Sequence, residues 1–251
     1  MRRTALVVFG CWLLAACTDR SAPLSTESPS AALDQVTGGE EWIATPAGWY
    51  HRSCVHEIAA GATFRPADLR VTRSDGTGYQ LPPCAYPHYS VLRQVTPPRT
   101  GGWYLVAVDS LAPTAEVADL RATWAVPAPP VQPDTGQQLY YAFPGLQNGD
   151  VGSSEVIQPV LQWGYNGYFG GNYWTLASWY CGPVCAMNPS HLNVYQGDTI
   201  FGWIYANNCS GGQCDWTIQS EDQSTAHYGN VSLTYHGTQN FSWIAGGVVE
   251  T

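Results

Sequence analysis

A period-two alternation of apolar and polar residues runs through the second half of the chain. Thr199–Tyr205 reads T-I-F-G-W-I-Y, Asp215–Gln219 reads D-W-T-I-Q and Val231–Tyr235 reads V-S-L-T-Y. Such alternation marks strands with one buried face. Gly170-Gly171, Gly197-Asp198, Gly211-Gly212 and His236-Gly237 supply turn signals between them. No run keeps a 3.6-residue period over three turns, so helix bundles are excluded and a sandwich or barrel of short strands is expected. Upstream, the strand-like pieces Leu69–Thr72, Val91–Val95 and Trp103–Val108 are shorter, and Pro97-Pro98 and Gly101-Gly102 punctuate them. Pro127–Pro133 is a Pro-rich break. The expected organisation is an all-β, antiparallel β-sandwich over 121–251, preceded by a smaller disulfide-linked segment over 39–120.

Composition sharpens this. The 251 residues are 45% apolar and 13% aromatic, with only 12% charged. That is enough aromatic and β-branched material to build a core, which excludes disorder. All ten basic residues are Arg, and the last is Arg121. Residues 122–251 carry eight carboxylates (Asp134, Asp150, Glu155, Asp198, Asp215, Glu221, Asp222, Glu250) and a formal charge of −8. A surface without Lys or Arg cannot displace phosphate counterions, so no nucleic acid is a partner. Anionic membranes are disfavoured for the same reason.

Met1–Cys17 has the build of an export signal: Arg2-Arg3, an apolar run Ala5–Leu14, then Leu14-Ala15-Ala16-Cys17. The ending resembles a bacterial lipobox, with Cys17 as the lipidated residue. Thr18 after it favours outer-membrane sorting, to the periplasm or cell surface, with the membrane reached only through that lipid. Residues 18–38 read as a flexible tether. Six cysteines then remain in the mature chain: Cys54, Cys84, Cys181, Cys185, Cys209 and Cys214. An even count in an exported chain reads as three disulfides, and proximity suggests 54–84, 181–185 and 209–214 among fifteen connectivities. A zinc site from Cys181-x3-Cys185 and Cys209-x4-Cys214 is the weaker alternative, because the spacings are loose and the compartment oxidises.

His51, His56 and Glu57 cluster in sequence, but the spacing suits a disulfide-anchored loop around Cys54 better than a metal site. Neither a metal nor any other cofactor is implied. The densest constellation is Val156-Ile157-Gln158-Pro159-Val160-Leu161-Gln162-Trp163-Gly164, followed by Gly170-Gly171-Asn172-Tyr173-Trp174 and Ser178-Trp179-Tyr180. Gln158 and Gln162, four apart on an extended strand, share one face. With Trp163, Trp174 and Trp179 they suggest an elongated groove suited to a polymer.

Taken in order, Thr123-Trp124-Ala125-Val126-Pro127, Leu161-Gln162-Trp163-Gly164, Trp179-Tyr180, Val194–Ile200 and Trp243-Ile244 resemble the eqolisins, the acid-acting glutamic peptidases. Their pattern runs W-x-V-P, L-Q-x-G, E-W-Y, V-x-x-G-D-x-I and W-I-x-E. The resemblance covers about residues 120–251 and is closer still to bacterial relatives in which Cys-Val-His-Glu precedes Gln-Pro-Val-Leu-Gln-Trp-Gly and a terminal Gly-Gly-x-x-Glu. Ser178 stands where the family has Glu. The resemblance implies a jelly-roll sandwich of two antiparallel sheets and a catalytic Gln–Glu pair, which falls on Gln162 and Glu250. The implied chemistry has Glu250 draw a proton from water that attacks a peptide carbonyl, while the Gln162 amide stabilises the oxyanion. A polypeptide is then the substrate, and Gln158, Trp163, Trp174 and Trp179 line its groove. The competing expectation is a lectin-like sandwich that stacks glycan rings on the same aromatic residues without chemistry.

The charge pattern carries its own test. Trypsin acting on the denatured, reduced chain is expected to leave residues 122–251 as one fragment, measured by mass spectrometry; any internal cut would contradict the reading.

Overall fold

A computed structural model of the chain describes residues 42–87, 103–110, 117–131, 138–148, 155–188, 190–226, 228–241 and 243–250. Cys17 and the tether, together with the strand expected at Val91–Val95, lie outside them. The strands are, in order, β1 (Trp42–Thr45), β2 (Gly48–His51), β3 (Val55–Glu57), β4 (Thr63–Arg65), β5 (Arg70–Thr72) and β6 (Gly78–Gln80). They continue with β7 (Trp103–Ser110), β8 (Asp119–Ala125), β9 (Tyr140–Gln147), β10 (Val156–Trp163), β11 (Trp174–Cys181) and β12 (Cys185–Met187). The last are β13 (Leu192–Val194), β14 (Thr199–Ser210), β15 (Gln213–Asp222), β16 (Gly229–Thr238) and β17 (Trp243–Glu250). No α-helix occurs among the described residues.

Two large sheets form a β-sandwich. The first has the order β3-β12-β11-β10-β9-β17-β7, with β13 continuing the β12 edge on β11. The second runs β6-β5-β4-β16-β15-β14-β8. Alternation drives both. On β14 and β15, Ile200, Ile204, Trp216 and Ile218 are fully buried while Phe201, Trp203 and Thr217, which point the other way, are only partly covered. Their inward side chains meet Leu146, Ile157 and Tyr180 of the first sheet, and Leu161, Trp163, Trp174 and Leu176 close over Ile200 and Val126.

The first sheet has a second buried face. Tyr141, Phe143, Val160, Ala177, Trp179, Cys181, Cys185 and Met187 form a separate core with Ile43 and Tyr50 of the β1–β2 hairpin. Consequently β10 and β11 are buried at all eight positions each, like strands covered on both sides.

The stretch 39–120 is woven into both sheets. β3 adds to β12 in parallel, β4 adds to β16 in parallel, and β7 and β8 pair with β17 and β14. The cysteines join as Cys54–Cys84, Cys181–Cys185 and Cys209–Cys214. Cys54 and Cys84 are 30 residues apart, against 4 and 5 for the other pairs. If chain entropy dominates, losing the long bridge costs about 3–4 kcal/mol and either short one about 2 kcal/mol. Paired Cys→Ser variants in denaturant titrations check this: Cys54→Ser/Cys84→Ser is expected to be the least stable of the three.

Candidate active site

Residues directly opposite each other in antiparallel strands share a face, so register alone defines rows across the outer face of the first sheet. One row is Tyr141–Gln162–Thr175–Asn193, and the Glu250 backbone lies in register with Tyr141. With strands about 4.8 Å apart, the backbones of Glu250 and Gln162 are roughly 10 Å from each other across Tyr141. A second row is Gln158–Trp179–Met187–Glu57.

The two glutamines face the same way but are treated differently. Gln162 is fully buried. Its Nε2 donates to the carbonyls of Gly164 (2.9 Å) and Phe169 (3.1 Å), and its Oε1 accepts from Asn166 Nδ2 (3.3 Å). Asn166 Oδ1 in turn accepts from the Tyr168 and Phe169 amides at 2.8 and 2.9 Å. This amide pair shapes the loop 164–170, which returns tightly enough that a Cβ on Gly170 would sit 2.5 Å from Gln162 Nε2. Gly170 has φ +98°, a conformation that glycine adopts without strain. Both Gln162 donors are therefore committed to backbone in this conformation.

Gln158 is also fully buried, yet neither its Oε1 nor its Nε2 has a partner. Trp179 Nε1 and Thr175 Oγ1 are in the same condition. Leaving a buried amide unpaired costs about 1–3 kcal/mol, so this cluster is not explained by stability.

The β1–β2 hairpin lies over these rows. Tyr141 Oη donates to the Ala44 carbonyl at 2.5 Å, the Ala44 amide donates to the Asn166 carbonyl at 3.0 Å, and Tyr50 Oη donates to the Gly182 carbonyl at 2.9 Å. Phe169 stacks between Trp179 (6.0 Å) and His191 (4.9 Å). At the rim, Arg52 donates to the Gly167 carbonyl at 2.5 Å and lies 5.6 Å over the Tyr168 ring. Burial, followed by the charge and hydrogen bond of Glu57, raises the Tyr168 hydroxyl above its ordinary range.

Of the residues singled out from sequence, Gln158, Gln162 and Trp179 share this face, and the Glu250 backbone joins the Gln162 row. Trp163 and Trp174 do not line it. They pair with each other on the inner face and pack at 5.4 Å inside the sandwich. That placement corrects the single aromatic groove expected above, and the reason is the two-residue period: a neighbour of Gln162 on a strand must point the opposite way. Ser178 is likewise inward, its Oγ 3.0 Å from Ser220 Oγ and donating to the Val231 carbonyl at 3.2 Å. Ser178 is thus a tie between the sheets rather than a groove residue. Tyr141, Thr175 and Asn166 were not singled out in advance. Tyr141 emerges only from strand register, and Asn166 only from the loop that Gln162 holds.

No family model matches the chain, and searches of curated proteins and of solved structures find no match.

The two glutamines are expected to respond oppositely to the same substitution. Gln162→Leu forfeits three hydrogen bonds and orphans their partners, and is expected to destabilise by at least ~2 kcal/mol. Gln158→Leu removes an unpaired amide and is expected to be neutral or to stabilise by up to about 2 kcal/mol. Denaturant midpoints with unchanged m values measure both; equal losses would show that Gln158 is paired.

Proposed function

We propose that the chain is an exported, lipid-anchored hydrolase of the glutamic-peptidase type, acting on polypeptides in acid and held here in a closed form. The observation that carries this reading is the backbone row in which Glu250 and Gln162 flank Tyr141. In it, Glu250 acts as base toward water and returns the proton to the leaving amine. The Gln162 amide turns toward the oxyanion once the loop 164–170 releases it.

Electrostatics support work in acid. Burial raises the Glu155 carboxyl above the ordinary glutamate range, against the opposing effect of the Tyr180 hydroxyl bonded to it at 2.7 Å. A carboxyl raised in the folded chain contributes stability that is full below its unfolded pKa and lost as pH climbs through its folded one. Asp215 behaves in the opposite sense. Partial burial lifts it, but Asn208 and His236, the latter at 2.7 Å, hold it below the usual aspartate range. Its contribution is present above that range and lost as pH falls through the depressed value. Protonating the other carboxylates of residues 122–251, which include no Lys or Arg, relieves self-repulsion without adding positive charge to that stretch.

A second reading, a module that stacks sugar rings, is favoured by Tyr165, Tyr173 and Tyr195. These remain 46%, 41% and 56% exposed, and the latter two flank the Trp174–Val194 pair at the Gln162 end of the sheet.

The deciding assay incubates the full chain with casein between about pH 3 and 5, around the ordinary glutamate range. Release of peptides is expected, with Gln162→Ala and Glu250→Gln each slowing it at least ~100-fold. Equal rates in all three proteins would remove this site. Retention on immobilised glycans without cleavage would decide for the sugar-binding module.

A further inference from the structure

We infer that the outer face of the first sheet is a groove for an extended polypeptide main chain, and that β1 is its resident occupant. The inference rests on the peptidase reading for the chemistry that the groove serves, though the binding is argued from geometry alone.

Among the described residues, strands β1 and β2 pair only with each other and form a two-stranded sheet of their own. Neither joins a large sheet edge to edge, so the hairpin is laid on a face rather than built into it. An isolated two-stranded hairpin is marginal in water, and this one is held by what it lies on.

The grip on β1 is through main-chain atoms of one residue. The Ala44 carbonyl takes its hydrogen bond from Tyr141, the residue between Gln162 and Glu250 in their row. The Ala44 amide gives its hydrogen bond to the backbone of Asn166, whose side chain is bonded to Gln162. Both main-chain groups of Ala44 are thus read by neighbours of the proposed pair. Recognition of this kind depends on an extended backbone rather than on a particular side chain.

The loop is shaped for a close approach by a main chain. Gly167 has φ +95°, and a Cβ there would lie 3.0 Å from the Trp42 carbonyl and 3.5 Å from the Ile43 Cα. Ile43, Ala44 and Thr45 are 0%, 9% and 1% exposed, so the face takes an apolar residue followed by small ones.

The occupancy is incomplete in one respect. Gln158, Trp179 and Thr175 offer two donors, an amide oxygen and a hydroxyl on this covered face, and none of them is satisfied. The Thr45 hydroxyl, which is close by in sequence to the gripped residue, is bonded instead to the Gly48 carbonyl across the turn at 2.7 Å. A free peptide whose carbonyls and amides reach Gln158 and Trp179 gains hydrogen bonds that β1 forgoes. The ligand class is therefore an extended peptide with a small residue over Tyr141, competing with the chain's own Trp42–Thr45 segment. Filling the face from within keeps the pair closed until the hairpin lifts.

The test uses the full chain carrying Ile43→Asp, which places a charge in the apolar seat of β1. The probe is a fluorescein-labelled peptide Trp-Ile-Ala-Thr-Pro-Ala, followed by fluorescence anisotropy. The variant is expected to bind the probe at least ~10-fold tighter than the wild type does, a difference of about 1.4 kcal/mol. A probe with Trp in place of its first Ala should bind no better to the variant than to the wild type. Tyr50→Phe, which removes the hydroxyl bonded to the Gly182 carbonyl, keeps the test open should Ile43→Asp not fold, and is expected to shift binding in the same direction. Equal binding to wild type and variant, or binding to neither, would overturn the inference. Casein cleavage read in parallel separates the two ideas. Tight probe binding without cleavage upholds the groove and refutes the peptidase, whereas cleavage unchanged by Ile43→Asp and without probe binding refutes the resident occupant and leaves the peptidase standing.

Discussion

Strands β10 and β11 are buried at every position, on both faces of one sheet. A sandwich of two sheets needs only one covered face per sheet, so the second cover must come from elsewhere. Here the β1–β2 hairpin and the loop 164–170 provide it. The disulfide Cys54–Cys84 follows the hairpin directly, and β3 then enters the sheet edge beside β12. The N-terminal stretch is therefore pinned at the point where it leaves the outer face.

Polar residues under an apolar cover have to be satisfied or be retained for another reason. Gln162 is satisfied, through a local network that fixes Asn166 and a glycine-rich turn. Gln158 and Trp179 are not. The contrast between two glutamines on one strand, one paired and one not, marks this face more sharply than either residue does alone. It also explains why β1 is gripped by Ala44 main-chain atoms: those are the groups a foreign peptide would present. The acid-favouring carboxyl of Glu155 and the absence of basic residues after Arg121 act on the sandwich strands beyond β8 rather than on the site.

Much of the sandwich was legible in the sequence, because β14, β15 and β16 alternate cleanly and pair with their immediate neighbours. Cys181–Cys185 and Cys209–Cys214 each staple such a neighbouring-strand hairpin. The parallel additions of β3 and β4 join residues more than a hundred positions apart, and no local pattern encodes such pairing. Within the site, Gln158 and Gln162 were visible as a same-face pair. Trp163 and Trp174 were assigned to that face against the strand period, since aromatic richness was allowed to outweigh parity. Tyr141 and Ala44, 97 residues apart, meet only because the hairpin folds back over the sheet.

The most direct measurement of the central claim is native-state hydrogen exchange resolved to single amides. A cover that lifts opens at lower free energy than the sheet beneath it. The Ala44 amide is therefore expected to exchange through a partial opening well below the global unfolding free energy, while the amides of Ile157, Gln158 and Val160–Gln162 exchange only on global unfolding. Exchange of Ala44 together with those strand amides, in one cooperative step, would make the hairpin a permanent part of the core and contradict the account.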